Sequence, residues 1–230
     1  MPTLTPLESE ALRLSLRVAF WSVTTSLPVG LLVAWLLARR DFYGKSVLNT
    51  LVHLPLVLPP VVVGYLLLVL FGREGPLGRL LLSAFGITLP FTWQGAALAA
   101  AVMAFPLMVR AMRLSLETVD RRLEAAARTL GAGPAAVFIT ITLPLMAPGI
   151  VVGALLAFAR SLGEFGATIT FAANIPGETR TLPIALYTLI QTPGGETLAL
   201  RLAILSVVLS LAALAASEVL ARRLRVRIDG

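Results

Sequence analysis

Arg160, Ser161, Glu164, Thr168 and Thr170 fall within one apolar run from about Leu145 to Ala173. With Gly149, Gly153 and Ala157, the residues Arg160, Glu164 and Thr168 recur at spacings of three and four, the period of one helical face. Ionisable groups near the middle of such a run are costly, so they face a partner or a water-filled path. Two roles stay open for them. Arg160 and Glu164 can pair one turn apart and lock helix packing. Alternatively they line a pathway or gate, with the hydroxyls of Ser161, Thr168 and Thr170 offered to a polar solute. Gly163 and Gly166 weaken the helix there, or they accommodate a close helix crossing.

A second constellation is mechanical. Between two apolar runs lies a polar, Arg-rich loop, Leu123-Glu124-Ala125-Ala126-Ala127-Arg128-Thr129-Leu130-Gly131, followed by Ile141-Thr142-Leu143-Pro144. It alternates small residues with charge and closes on Leu-Pro as the next span begins. A helix surface docked closely into a groove tolerates little side-chain volume, which Ala125, Ala126, Ala127, Gly131, Ala132 and Gly133 satisfy. The loop, about 117–145, is read as a surface that something packs against.

Covalent chemistry has little to work with. The chain holds one histidine and no cysteine, and it contains no H-E-x-x-H, G-x-S-x-G, Walker A or dinucleotide-binding sequence. His53, beside Pro55, reads as a boundary residue. No enzymatic role, no metal and no cofactor of its own are expected.

These groups must be held by membrane helices. The 230 residues are 57% hydrophobic and 13% charged, with mean hydropathy +0.89, whereas soluble domains carry about a quarter charged residues. A bilayer core about 30 Å thick takes about 20 apolar helical residues, and open sheets cannot cross it. Five runs qualify: roughly Val18 to Leu37, Val47 to Leu70, Trp93 to Val109, Leu145 to Ala173 and Leu202 to Leu220. The expected fold is an all-α, polytopic helical bundle of five to six spans, forming one domain over 1–230. Leu77 to Leu89 and Thr181 to Thr192 are too short to span and read as partial or re-entrant helices on the outer side.

The formal charge of +7 does not by itself imply an anionic substrate or a nucleic-acid partner. Arg39, Arg40 and Lys45 follow the first run; Arg110, Arg113, Arg121, Arg122 and Arg128 follow the third; Arg222, Arg223, Arg225 and Arg227 follow the last. This positive-inside pattern places the N-terminus outside and the C-terminus inside. The start, Met1-Pro-Thr-Leu-Thr-Pro, lacks a basic n-region, so the first run is expected to be retained. The prolines of His53-Leu-Pro55-Leu-Val-Leu-Pro59-Pro60-Val-Val-Val-Gly64-Tyr65 should kink the second run or delay its start. The last span ends close to the end of the chain, so an energy-converting domain is expected on another polypeptide.

The loop resembles, in spacing, the cytoplasmic loop of ABC-importer permeases: E-A-A, three residues, G, nine residues, I, one residue, L-P. Ala126, Ala127, Gly131, Ile141, Leu143 and Pro144 fall on that pattern. Ala125 stands at the usual Glu position and Glu124 lies one residue earlier, which turns it by about 100° on a helix.

The chain resembles the molybdate-importer permease family over almost its whole length, through His53 to Tyr65, Phe105-Pro-Leu-Met-Val-Arg110, Ala159 to Thr170, Asn174 to Thr181 and Leu189 to Gly195. That resemblance implies a type I ABC-importer architecture in the cytoplasmic (inner) membrane. It implies a homodimeric pore, two cytoplasmic ATPase subunits using ATP-Mg, and a periplasmic or extracytoplasmic molybdate-binding protein, with tungstate tolerated. Sulfate or thiosulfate import is the nearest rival. An ion-coupled secondary transporter would show inverted repeats, and none is evident. Asn174 to Arg180 and Gln191 to Thr197 read either as contacts for the binding protein or as passive loops.

Overall fold

The computed structural model describes residues 4–229. Every regular element described is helical: α1 (Pro6–Arg39), α2 (Lys45–Val57), α3 (Pro60–Phe71), α4 (Pro76–Phe85), α5 (Trp93–Thr118), α6 (Arg121–Thr129), α7 (Pro134–Val137), a π-helical turn (Phe138–Thr142), α8 (Leu143–Leu162), α9 (Gly166–Ala172), α10 (Leu182–Ile190) and α11 (Glu196–Asp229). Four helical stretches among the described residues are long and apolar enough to span: Pro6–Arg39, Trp93–Thr118, Pro134–Leu162 and Glu196–Ala216. The bent pair α2–α3 makes a fifth if counted as one span.

The ends of these helices follow from capping chemistry rather than from hydropathy. α1 begins twelve residues before the apolar run because Thr5 and Glu8 form a capping box, with the Thr5 N–H donating to Glu8 Oε2 at 2.7 Å, and Pro6 pre-sets the first turn. Thr92 caps α5 by accepting from the Gly95 N–H at 3.1 Å. α5 runs on to Thr118, past the expected Val109, because Met112 and Leu116 remain buried against neighbouring helices.

Proline acts on the second run as expected. α2 stops at Val57, Pro59 has no N–H to continue it, and α3 restarts on Pro60, bent by 118°.

The fourth run departs from expectation at both ends. It is not one helix from Leu145 to Ala173: α8 ends at Leu162, and α9 begins at Gly166. The stripe from Gly149 to Thr168 is therefore not a single face, because Gly163 ends one helix and the turn through Phe165 starts another at a new angle. Nor does the span begin at Leu143-Pro144. It begins at Pro134 and passes through the π-helical turn, so those two residues lie inside it. Pro144 sits at the first turn of the α-helical part, where its missing N–H is absorbed by the wider π geometry.

α5 is the centre of the bundle, packed between α1 and α8, with α9 and α3 along one side. Its Ala96, Ala99, Ala100 and Ala104 are almost fully buried, so small side chains let the backbones approach. The same logic explains two glycines of α8. A Cβ on Gly149 would overlap the Ser115 side chain, and one on Gly153 would lie 2.9 Å from the Met108 carbonyl oxygen. Leu37, Met108, Met112, Leu116 and Met146 fill the space between the three helices. Large apolar residues on α2, α3 and α11 stay exposed, including Val57, Tyr65, Leu66, Val207 and Leu211. In water such a face would be untenable; in a bilayer it is ordinary.

Candidate functional site

The polar loop forms a short helix, α6, tethered to the membrane body. Asp120 caps α6, its Oδ1 accepting from the Arg122 N–H at 2.9 Å. α6 buries no residue fully. One side chain turns inward. Glu124 Oε1 accepts from Arg39 Nη2 at 3.1 Å and from Thr142 Oγ1 at 2.8 Å. Arg39 also donates to the Val119 carbonyl at 3.2 Å. One carboxylate thus joins α6, the end of α1 and the π-helical turn, in a setting where Thr142 is 2% exposed.

The opposite side of α6 is free. Leu123 and Leu130 are 49% and 88% exposed, and Ala125 and Ala126 are exposed between them. Residues three and four apart share a helix face, so Leu123, Ala126 and Leu130 make an uncovered apolar stripe. Gly131 follows at φ +88°, in the left-handed region that a Cβ disfavours, and turns the chain towards α7. Gly133 has an ordinary φ and open space around it. Ala127, Ala132, Ile141 and Leu143 are half-buried; Pro144 is exposed.

The second constellation sits at the α8–α9 break. Arg160 Nη1 lies 2.7 Å from Glu164 Oε2, so the two are paired one turn apart, and Glu164 is buried while the Arg160 side chain is 29% exposed. The other oxygen of Glu164 accepts from the Ala167 N–H at 2.8 Å and so caps α9. Ser161 bonds across to Ser22 of α1 at 2.9 Å. Thr168 donates to the Phe165 carbonyl at 2.9 Å, and Thr170 to the Gly166 carbonyl at 2.8 Å. These hydroxyls are occupied by protein oxygens. α9 is pressed against α3: a Cβ on Gly64 would come within 2.6 Å of the Ala167 carbonyl oxygen.

Pairing of Arg160 with Glu164 is one of the two roles the sequence leaves open, and the structure shows that contact; the spacing does not reveal the partners on α1. Arg39, Ser22 and the π-turn residue Thr142 belong to these networks; separately, the Arg17 guanidinium of α1 stacks 3.7 Å from the Trp93 ring centre. The signal for Arg39 was present: an acidic residue in one polar loop and arginines in another, placed on the same side of the membrane by the charge pattern. Glu8 pairs with Arg201 at 3.0 Å, joining α1 to α11. In the α1–α2 connection, a hydrogen bond from Lys45 holds the exposed Asp41 carboxylate below its usual pKa. The basic residues Arg222 to Arg227 lie outside the residues whose side chains are described.

The connection from Asn174 to Arg180 is bonded within itself and to its neighbours. Arg180 Nε donates to Asn174 Oδ1 at 2.8 Å, Asn174 Nδ2 donates to Thr188 Oγ1 at 2.9 Å, and Glu178 accepts from the Trp93 N–H at 3.2 Å. Among the described residues no three His, Cys, Asp or Glu side chains gather as a metal site would require.

Residues 26–226 match the family described as binding-protein-dependent transport system inner membrane component. The chain is 64% identical over 224 residues to the molybdenum transport system permease protein ModB of Escherichia coli strain K12, covering 97% of this chain and 98% of that protein. It is 56% identical over 222 residues to the protein of the same name from Haemophilus influenzae, covering 96% and 97%. Its fold is similar to a crystal structure of a bacterial ABC transporter involved in the import of the acidic polysaccharide alginate. There the TM-score is 0.75 at 17% identity, covering 96% of this chain and 80% of that one. At that identity the likeness speaks for the fold alone.

Proposed function

The chain belongs to the family of binding-protein-dependent transport system inner membrane components, and from that membership we propose that it is the membrane-spanning permease subunit of an ATP-driven ABC importer for molybdate. The observation that carries the substrate is the end-to-end similarity to ModB, which extends through the spans and outer loops as well as the docking loop. Tungstate, of the same charge and shape, is carried too.

The chain works as lever and path. Its uncovered α6 stripe of Leu123, Ala126 and Leu130 seats in a groove on a cytoplasmic ATPase subunit, one for each of two copies of this chain. ATP and Mg bind to those partners, and closure of the ATPase pair on ATP moves α6. Glu124 passes the movement on, because its bonds to Arg39 and Thr142 tie α6 to α1 and α8. The membrane helices then shift between inward-open and outward-open arrangements. An external binding protein delivers the oxyanion to the outer side, where the N-terminus lies; the C-terminus lies in the cytoplasm.

At the α8–α9 break, Arg160 is the group placed to meet the anion. Its carboxylate partner is buried, whereas the guanidinium is partly exposed. Opening of that pair as α9 moves against α3 frees the charge for an oxyanion in transit, since guanidinium presents forked donors to tetrahedral oxyanions.

The test is uptake of labelled molybdate into liposomes holding this chain with its ATPase partner and loaded binding protein, with and without ATP and with sulfate as competitor. ATP-dependent uptake that resists sulfate is expected. Uptake only from a sulfate-loaded binding protein would overturn the substrate, and uptake without ATP would overturn the mechanism.

A further inference from the structure

Beyond the transport path, a cleft of about 810 Å³ opens between the second half of α1, α6 and α7. Its two ends differ in chemistry. The deep end is walled by Pro28, Leu31 and Leu32 of α1, and the rim carries Arg39, Arg40, Arg121 and Arg128. From Pro28 to Arg40 the helix rises by about 18 Å, so the cleft runs well into the hydrocarbon layer while its rim stands at the surface.

The rim is short of negative charge. Its one carboxylate, Glu124, is committed to Arg39 and Thr142. Even so, Arg39 keeps a buried Nε with no hydrogen-bond partner. Among the described residues, Arg40, Arg121 and Arg128 have no carboxylate within ion-pair distance, although Arg121 donates weakly to the Ala38 carbonyl at 3.4 Å. Arg40 instead rests over the Trp35 ring at 5.2 Å. Trp beside arginine at the end of an apolar span is the arrangement found at headgroup depth.

We propose that this cleft binds one anionic phospholipid of the cytoplasmic leaflet, its phosphate among Arg40, Arg121 and Arg128 and an acyl chain along Leu31 and Leu32. An ATPase subunit in water reaches the rim but not Pro28, which lies turns deeper in the apolar layer. A free phosphate answers the charge and leaves the apolar wall bare. Only an amphiphile answers both ends, and basic pockets between spans on the cytoplasmic side are suited to such headgroups. Because α6 forms one wall, the bound lipid braces the docking helix against α1.

The assembled transporter, reconstituted with phosphatidylethanolamine and a minor fraction of phosphatidylglycerol, is taken into mild detergent and its retained lipids are quantified by mass spectrometry. Phosphatidylglycerol should be enriched over its bulk fraction. Arg40→Gln should lower that enrichment by about fivefold, the effect of one interfacial arginine. Leu32→Trp should lower it by filling the acyl groove while leaving the rim intact. Retention of both lipids in their bulk ratio, or unchanged enrichment in both variants, would overturn the proposal. So would displacement by millimolar inorganic phosphate, which would make the occupant a free anion. Separation of the two permease copies by Leu32→Trp would likewise overturn it, by making the cleft a protomer interface.

Discussion

Glu124 and Arg39, 85 positions apart in the chain, meet at 3.1 Å where α6 touches the end of the first span. The pair is largely shielded, with side-chain exposures of 14% and 9%. A carboxylate facing the docked partner would leave α6 held only by its chain ends. Turned inward, it makes α6 part of the membrane body, so force applied to the exposed stripe reaches α1 and the π-helical turn at once.

Removal of that carboxylate should uncouple the two sides. Glu124→Ala leaves Thr142 without its acceptor and Arg39 with only the Val119 carbonyl, and should cost about 1–3 kcal/mol of stability. Thr142→Val should cost less, since the ion pair survives. Unfolding of the purified variants in detergent reads the difference, and ATP-driven uptake should fall further in Glu124→Ala than the stability loss alone explains. Equal stability of wild type and Glu124→Ala would remove the tether from the mechanism.

The two glycines of the docking loop should separate by backbone conformation. Gly131→Ala forces a Cβ into φ +88° and should cost about 1 kcal/mol at the turn. Gly133→Ala should be tolerated, as nothing lies within 4 Å of its added carbon. Gly131→Trp adds bulk to strain and should abolish co-purification with the ATPase. Undiminished co-purification of the Trp variant would show that this turn is not at the docking surface.

At the helix break, Arg160→Ala should reduce molybdate uptake by on the order of tenfold, as for loss of one charge-assisted contact, with ATPase assembly intact. Glu164→Gln can still accept from the Ala167 N–H, whereas Glu164→Ala cannot. The Ala variant should therefore be the less stable of the two. Normal uptake by Arg160→Ala would reduce the pair to a packing device.

The α5–α8 crossing should not admit a methyl group. Gly149→Ala meets Ser115 and should destabilise by about 1–3 kcal/mol. Pairing it with Ser115→Gly should recover part of that loss, measured by thermal unfolding; no recovery would mean that the clash is relieved elsewhere.

Much of this protein was legible without coordinates, for local reasons. Apolar length reports spanning helices because bilayer thickness acts on each stretch separately. The small residues at 125–127 and 131–133 mark a surface open to close packing because side-chain volume is a property of the position itself. Prolines 59 and 60 announced the bend because the missing N–H belongs to proline wherever it sits.

What hydropathy hid were the boundaries and the pairs. In the run from Leu145 to Ala173, Gly163 and Gly166 are as compatible with a close helix crossing as with a break, so composition does not decide between them; the break into α8 and α9 is decided where Glu164 caps α9 with Arg160 beside it. By itself the sequence determined a bundle of membrane helices joined by a polar loop rich in small residues. The tertiary structure decided that Glu124 faces Arg39 and Thr142, that Ser22 faces Ser161, and that arginines from two loops share one cleft. Those partners depend on where helices cross. Crossings are set by small residues buried on several helices at once, which no single stretch of sequence specifies.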